Sequence, residues 1–193
     1  YKRQLKERGI ENILALRGDI PTNTDFPLPD QYHHAIELIR EIREAGDFCI
    51  GGACYPEGHP EAANMNEDLD HLKEKVDAGC EYLTTQMFFD NEKYYAFVDR
   101  CRAEGITVPI IPGIKPIVFK NQLTVLPKIF RSDIPEPFAT ELRKCKTDDE
   151  AKAVGVEWCI QQCKDLIAHG VPSLHFYTMM ASDSVYKVAK EVY

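Results

Sequence analysis

The residues best suited to chemistry come directly after apolar runs that have the composition of buried strands. Arg17 and Asp19 follow the run NILAL, and Gln86 ends the run YLTTQ. Tyr55 and His59 lie in the turn YPEGHPEA, which its two prolines stiffen. A carboxylate at a strand tip can carry charge beside a ligand, and a glutamine can both donate and accept hydrogen bonds. These positions predict a ligand site in the loops that follow the strands.

Each of these residues also has a structural interpretation. Asp19 can cap the turn before Pro21. His59 can be an ordinary surface histidine, and Gln86 can bond the start of the next helix. No Ser/His/Asp or Cys/His pair occurs at an interpretable spacing. The residues alone therefore leave both interpretations open.

A helix predicted over 66–79 carries a polar stripe beside an apolar one. The polar residues recur at helical spacing and share one side of the helix: Asn64, Asp68, His71 and Lys75. The stripe is either a solvated flank or a row of hydrogen-bonding groups along an extended cofactor.

Composition narrows the class of protein. The 193 residues are 44% hydrophobic and 28% charged, which predicts one globular domain over 1–193. The net charge is -8 without a basic run, so we expect no nucleic-acid partner. No apolar run approaches the roughly 20 residues of a membrane span, and no signal peptide opens the chain. The seven cysteines lie singly in apolar segments without zinc spacing, which predicts a reducing, cytoplasmic location and no metal site.

Short apolar runs alternate with amphipathic segments along the chain. Strands are predicted over 12–17, 48–53, 82–86, 108–113 and 174–178, and helices over 30–46, 66–79, 91–104, 119–130, 148–169 and 182–192. This alternation predicts an α/β fold, with five parallel strands as strands four to eight of a (β/α)8 TIM barrel. An open five-strand sheet is the alternative, and it fits less well because no Gly-rich phosphate turn follows any strand. The sequence starts without Met inside an apparent helix, so we expect further barrel units before it.

The chain resembles the 5,10-methylenetetrahydrofolate reductase family, bacterial type, in five ordered motifs: NILALRGDIP, YPEGHPEA, DLDHLKEKVDAGCEYLTTQMFFD, PIIPGIKPI and LHFYT. The resemblance covers nearly the whole chain. It implies the C-terminal portion of a (β/α)8 barrel that binds FAD. It also implies an oxidoreductase that takes a hydride from NAD(P)H and reduces 5,10-methylenetetrahydrofolate to 5-methyltetrahydrofolate in one-carbon and methionine metabolism.

Carried over by position, the resemblance makes Asp19 the catalytic aspartate beside flavin and pterin, where its charge would stabilise a cationic folate iminium. Gln86 becomes a pterin contact. Phe119 becomes the ring that stacks on substrate or nicotinamide, although an ungapped match places Lys120 there. The implied FAD-binding positions are Arg17, Asp19, Ala53, Tyr55, His59, Asp68, His71 and Lys75. Glu74 replaces an arginine of some relatives, and the family's proton-donating glutamate belongs to a first strand that this sequence lacks.

Two other functions are alternatives for the same residues. A non-catalytic barrel fragment or subunit could bind flavin or folate without turnover. A metal-dependent aldolase or hydrolase is disfavoured because no cluster of His, Asp and Glu gathers at the predicted strand tips. Five strands of an opened barrel leave two unpaired edges, so we expect further units or a homo-oligomer and no activity from this stretch alone. The choice among NADH, NADPH and a ferredoxin-linked donor stays open.

Overall fold

A computed structural model describes residues 2–18 and 32–193 as an α/β fold with one parallel sheet. The strands are β1 (Asn12–Ala15), β2 (Cys49–Cys54), β3 (Tyr82–Met87), β4 (Ile110–Ile114) and β5 (His175–Phe176). Their order in the sheet is their order in the chain, and each neighbouring pair is parallel. This order has no reversal, whereas a doubly wound sheet reverses at its ligand-binding point. The predicted α/β class and the five parallel strands are confirmed.

Helices connect the strands. They are α1 (Lys2–Glu7), α2 (Ala35–Ala45), α3 (Met65–Asp77), α4 (Asn91–Ala103), α5 (Gln122–Phe130), α6 (Glu136–Lys144), α7 (Asp148–Ala168) and α8 (Ser182–Val192). Glycines end several of them: Gly105 after α4 has φ +81° and Gly170 after α7 has φ +75°, values that a residue with a Cβ rarely adopts.

The core lies between the sheet and the helices. Leu83 of β3 and Ile110 of β4 are buried in one cluster with residues of α3, α4 and α7. Ile50 of β2 packs with Ile39 and Phe48 in a second cluster. The opposite face of the sheet is less covered, and Leu14 there is 37% exposed. The helices therefore cover one face of the sheet, and the loops at the strand ends can form a ligand site.

Two helix predictions were wrong in part. The helix predicted over 119–130 begins at Gln122, because the Gln122 Oε1 atom accepts hydrogen bonds from the backbone N–H groups of Val118 and Phe119 at 2.8 and 3.1 Å. The helix predicted over 30–46 begins at Ala35.

Helix α6 was not predicted. Pro137 in its first turn and the buried Phe138 and Leu142 were signals of a short amphipathic helix.

No helix in the two described ranges is long and apolar enough to cross a membrane.

Helix α7 contacts the segment after β4 through a glycine. A Cβ atom placed on Gly155 would lie 1.9 Å from the carbonyl oxygen of Ile117. The two backbones approach this closely only because position 155 has no side chain. This contact fixes the loop that begins with Lys115 and runs to Phe119.

Candidate ligand site at the carboxyl ends of the strands

The turn after β2 is fastened to the first turns of α3 by a buried carboxylate. The backbone N–H of His59 donates to Asp68 Oδ2 at 2.9 Å, and Asp68 is 7% exposed. Burial raises the pKa of Asp68, and this hydrogen bond opposes the rise. Asn64, which the sequence placed in the same stripe, instead caps α3 by accepting from the N–H groups of Asn66 and Glu67.

The His59 ring is held in one orientation by two neighbours. Its Nδ1 atom accepts the backbone N–H of Glu61 at 3.0 Å, and its ring meets Tyr55 edge to face with centroids 4.6 Å apart. Burial lowers the pKa of His59, which favours the neutral ring. Because Nδ1 accepts, the proton of the neutral ring lies on Nε2. The Nε2–H group therefore is a donor, and no described residue accepts from it.

Lys75 reaches from α3 to the end of β2. Its Nζ atom donates to the carbonyl oxygen of Ala53 at 2.8 Å, and burial lowers the pKa of this lysine. Asp68 and Lys75 are thus engaged with the end of β2 and its turn, so the interpretation of the stripe as a solvated flank is wrong for them. His71 lies on the exposed surface of α3.

Arg17 joins the end of β1 to the same turn. Its guanidinium makes two hydrogen bonds of 2.8 Å to the Glu61 carboxylate. Such paired bonds hold the two groups in one plane, and the hydrogen bond from Arg17 lowers the pKa of Glu61. The structure therefore connects Arg17, Tyr55, His59 and Asp68 in one unit.

Gln86 and Phe119 lie at the ends of the next two strands. The Gln86 Oε1 atom accepts the backbone N–H of Met87 at 3.0 Å, and no described residue accepts from its amide N–H groups. Phe119 is 52% exposed in the loop after β4. Lys120 turns away, since its backbone N–H donates to Asp148 and its Nζ atom to the carbonyl oxygen of Lys146. Phe119, rather than Lys120, is therefore the residue of this loop whose side chain is available to a ligand.

Asp19 lies outside the described residues, so its predicted place beside Gln86 stays a prediction. Within the described ranges, no group of three His, Cys, Asp or Glu side chains could hold a metal ion. All seven cysteines are free, and six of them are buried.

Sequence reasoning missed two features near the strand ends. Glu57 accepts from Lys93 Nζ at 2.5 Å and from the backbone N–H of Asp133 at 3.0 Å, which ties the turn after β2 to α4 and the segment before α6. Lys115 directly follows β4 and is 3% exposed. The signal for Lys115 was present in the sequence, because a lone cation directly after the apolar run IIPGI is unusual.

Sequentially ordered parallel βα units with polar loops at the strand ends define an α/β domain of the kind seen in (β/α)8 enzymes, whose ligands bind at that end of the sheet. The family model of methylenetetrahydrofolate reductase matches residues 2–193. The chain belongs to this family.

Curated relatives agree with the family match. A probable methylenetetrahydrofolate reductase (NADPH) of Caenorhabditis elegans is 42% identical over 193 residues, which is 98% of this chain and 29% of that protein. The 5,10-methylenetetrahydrofolate reductase of Pectobacterium carotovorum is 40% identical over 183 residues, covering 94% of this chain and 60% of that protein. The chain thus spans less than two thirds of the length of either relative.

A solved structure shares the fold. An uncharacterized protein from Clostridium thermocellum, described as binding two copies of 5-methyl-5,6,7,8-tetrahydrofolic acid, superposes with a TM-score of 0.52. The two sequences are 18% identical, and the match covers 78% of this chain and 56% of that one.

Proposed function

We propose that the protein containing this chain reduces 5,10-methylenetetrahydrofolate to 5-methyltetrahydrofolate with a hydride from NAD(P)H by way of FAD. The observation that carries the proposal is the interlocked unit of Arg17, Tyr55, His59 and Asp68 at the end of β2, in a member of this family. The folate that the Clostridium thermocellum protein binds agrees with this substrate class.

The end of β2 has the donor and acceptor set that a dinucleotide cofactor needs. The His59 Nε2–H group can donate to a phosphate oxygen. The second carboxylate oxygen of Asp68 can accept from a ribose hydroxyl, since only Oδ2 bonds to His59 among described residues. Lys75 and Arg17 add positive charge near His59 and Asp68. The backbone of Ala53 would contact the cofactor. FAD bound here would supply a hydride carrier.

The substrate would lie toward the ends of β3 and β4. There Gln86 would donate its amide N–H groups to the pterin, and Phe119 would stack on the substrate or the nicotinamide. Asp19 would place a negative charge near the folate iminium and lower the energy of that cation. His71, which is exposed on α3, would be a further contact of the cofactor.

We infer that β1 to β5 are strands four to eight of a (β/α)8 barrel, as their sequential parallel order favours. The exposed Leu14 on the less covered face would then line the barrel interior. Further units of the whole protein, or a second copy of it in a homo-oligomer, would cover this face. The free cysteines favour a cytoplasmic location.

Replacing Asp68 with Ala in the whole protein should weaken FAD binding at least about 10-fold, because the turn loses its anchor and the cofactor loses a charged acceptor. The measurement is the flavin absorbance retained after purification, followed by titration of the apoprotein with FAD. Asp70→Ala is the matched control, since Asp70 lies on the same helix and is exposed.

Wild-type protein that takes up no flavin at any FAD concentration would refute the cofactor assignment and favour a non-catalytic barrel. Equal FAD affinity in the two variants would refute the role of Asp68 alone.

A further inference from the structure

Lys115 is a buried cation without a partner among the described residues. It is 3% exposed, and its ammonium makes no hydrogen bond or ion pair with any residue in the described ranges. Burying an ammonium without a hydrogen-bonding or charged partner is costly. The other lysines near the site are paired: Lys75 bonds to Ala53, and Lys93 bonds to Glu57. Lys115 therefore differs from its neighbours in having three unused donors.

The strand register places Lys115 on the face of the sheet opposite the helices. Gly113 of β4 pairs with His175 and Ile114 pairs with Phe176. Ile114 and Phe176 belong to the core cluster on the helix side. Since side chains alternate along a strand, Lys115 lies on the opposite face, level with Tyr177. The continued ladder supports this register, because Tyr177 N donates to the carbonyl oxygen of Ile114 at 2.9 Å.

Lys115 also lies at the end of the sheet where the proposed site is. It follows the last residue of β4 directly, and the same loop continues to Phe119. The close contact of Gly155 with Ile117 holds this loop against α7. The ammonium is therefore presented by a fixed backbone rather than by a free surface segment.

We propose that Lys115 is a substrate-binding residue whose ammonium donates to the carbonyl oxygen of the pterin ring of a bound folate. An ammonium has donors and no acceptor, so it selects a carbonyl or carboxylate oxygen. A folate has both kinds, on its pterin ring and on its glutamate tail. Lys115 is too buried to meet a tail that extends into solvent, and this selects the oxygen of the buried ring. The inference rests on the proposed function, because it takes folate as the ligand.

The test compares folate binding in the whole protein and its variants. Lys115→Met keeps the aliphatic length and removes the charge, so the Kd for 5-methyltetrahydrofolate should rise at least about 10-fold, while FAD content stays at the wild-type level. Lys115→Arg should recover much of the affinity, because it restores a cationic donor. Lys128→Met is the control, since Lys128 is exposed on α5. If Lys115→Met does not fold, Lys115→Gln provides the same comparison.

A second ligand distinguishes the carbonyl oxygen of the pterin ring from the oxygens of the glutamate tail. Binding of 6-methyltetrahydropterin, which has the ring and lacks the tail, should show the same loss in Lys115→Met. A loss seen with the folate and not with the pterin would assign Lys115 to the tail and overturn the proposal. Unchanged folate affinity in Lys115→Met would also overturn it, as would a loss of FAD in place of folate. Wild-type protein that binds neither ligand would instead refute the proposed function.

Discussion

Replacing Asp19 with Asn in the whole protein is expected to slow folate reduction by about 10²- to 10³-fold, the size of effect seen when one electrostatic group of an active site is removed. Asparagine keeps the shape and most of the hydrogen bonding of aspartate and removes its charge. The folate iminium would then lose its nearest carboxylate. Reduction of the enzyme by NAD(P)H should be slowed much less, because that step involves no folate cation.

Stopped-flow measurement of the two half-reactions separates these effects. Asp47→Asn is the control, since Asp47 is exposed just before β2, at the other end of the sheet. FAD should remain bound in Asp19→Asn, because Tyr55, His59 and Asp68 are unchanged. Equal losses in both half-reactions, or no loss in the folate step, would mean that Asp19 only caps the turn before Pro21.

Gly155→Ala should destabilise the protein by at least about 2 kcal/mol, although alanine normally favours a helix over glycine by about 1 kcal/mol. The added Cβ would lie 1.9 Å from the carbonyl oxygen of Ile117, which is backbone and cannot rotate away. Helix α7 and the loop carrying Lys115 and Phe119 would have to separate. Folate affinity should fall together with stability, because the same contact positions that loop.

Urea unfolding of the whole protein measures this change as a lower transition midpoint. Ala153→Gly on the exposed side of the same helix is the control, and it should cost only about 1 kcal/mol through helix propensity. An unchanged or higher midpoint for Gly155→Ala would show that α7 does not press on the loop as described.

The periodic segments of the sequence predicted the sheet well. Strand runs such as FCIGGA and YLTTQ became β2 and β3 within one residue, because parallel strands covered by helices need continuous apolar residues. Helix α6 escaped notice because Pro135 precedes it and Pro137 lies in its first turn, and because short helices depend on packing rather than on propensity.

The sequence suggested candidate site residues, and the structure adds the hydrogen bonds that connect some of them. Spacing along α3 grouped Asp68 with Lys75, and the structure adds that one fastens the turn at His59 and the other fastens β2 at Ala53. The Arg17–Glu61 pair joins residues 44 positions apart, and no local pattern encodes such a contact. Lys115 follows the apolar run IIPGI directly, which is a local signal, but only the structure shows that it is buried and has no partner among the described residues.

The most direct test of the account is to incubate the purified whole protein with 5,10-methylenetetrahydrofolate and NADH or NADPH, and to measure both products. We expect flavin-containing protein that forms 5-methyltetrahydrofolate in equal amount to the NAD(P)H oxidised, and no such product after the flavin is removed. Flavin-loaded wild-type protein that forms no 5-methyltetrahydrofolate with either nucleotide would contradict the account.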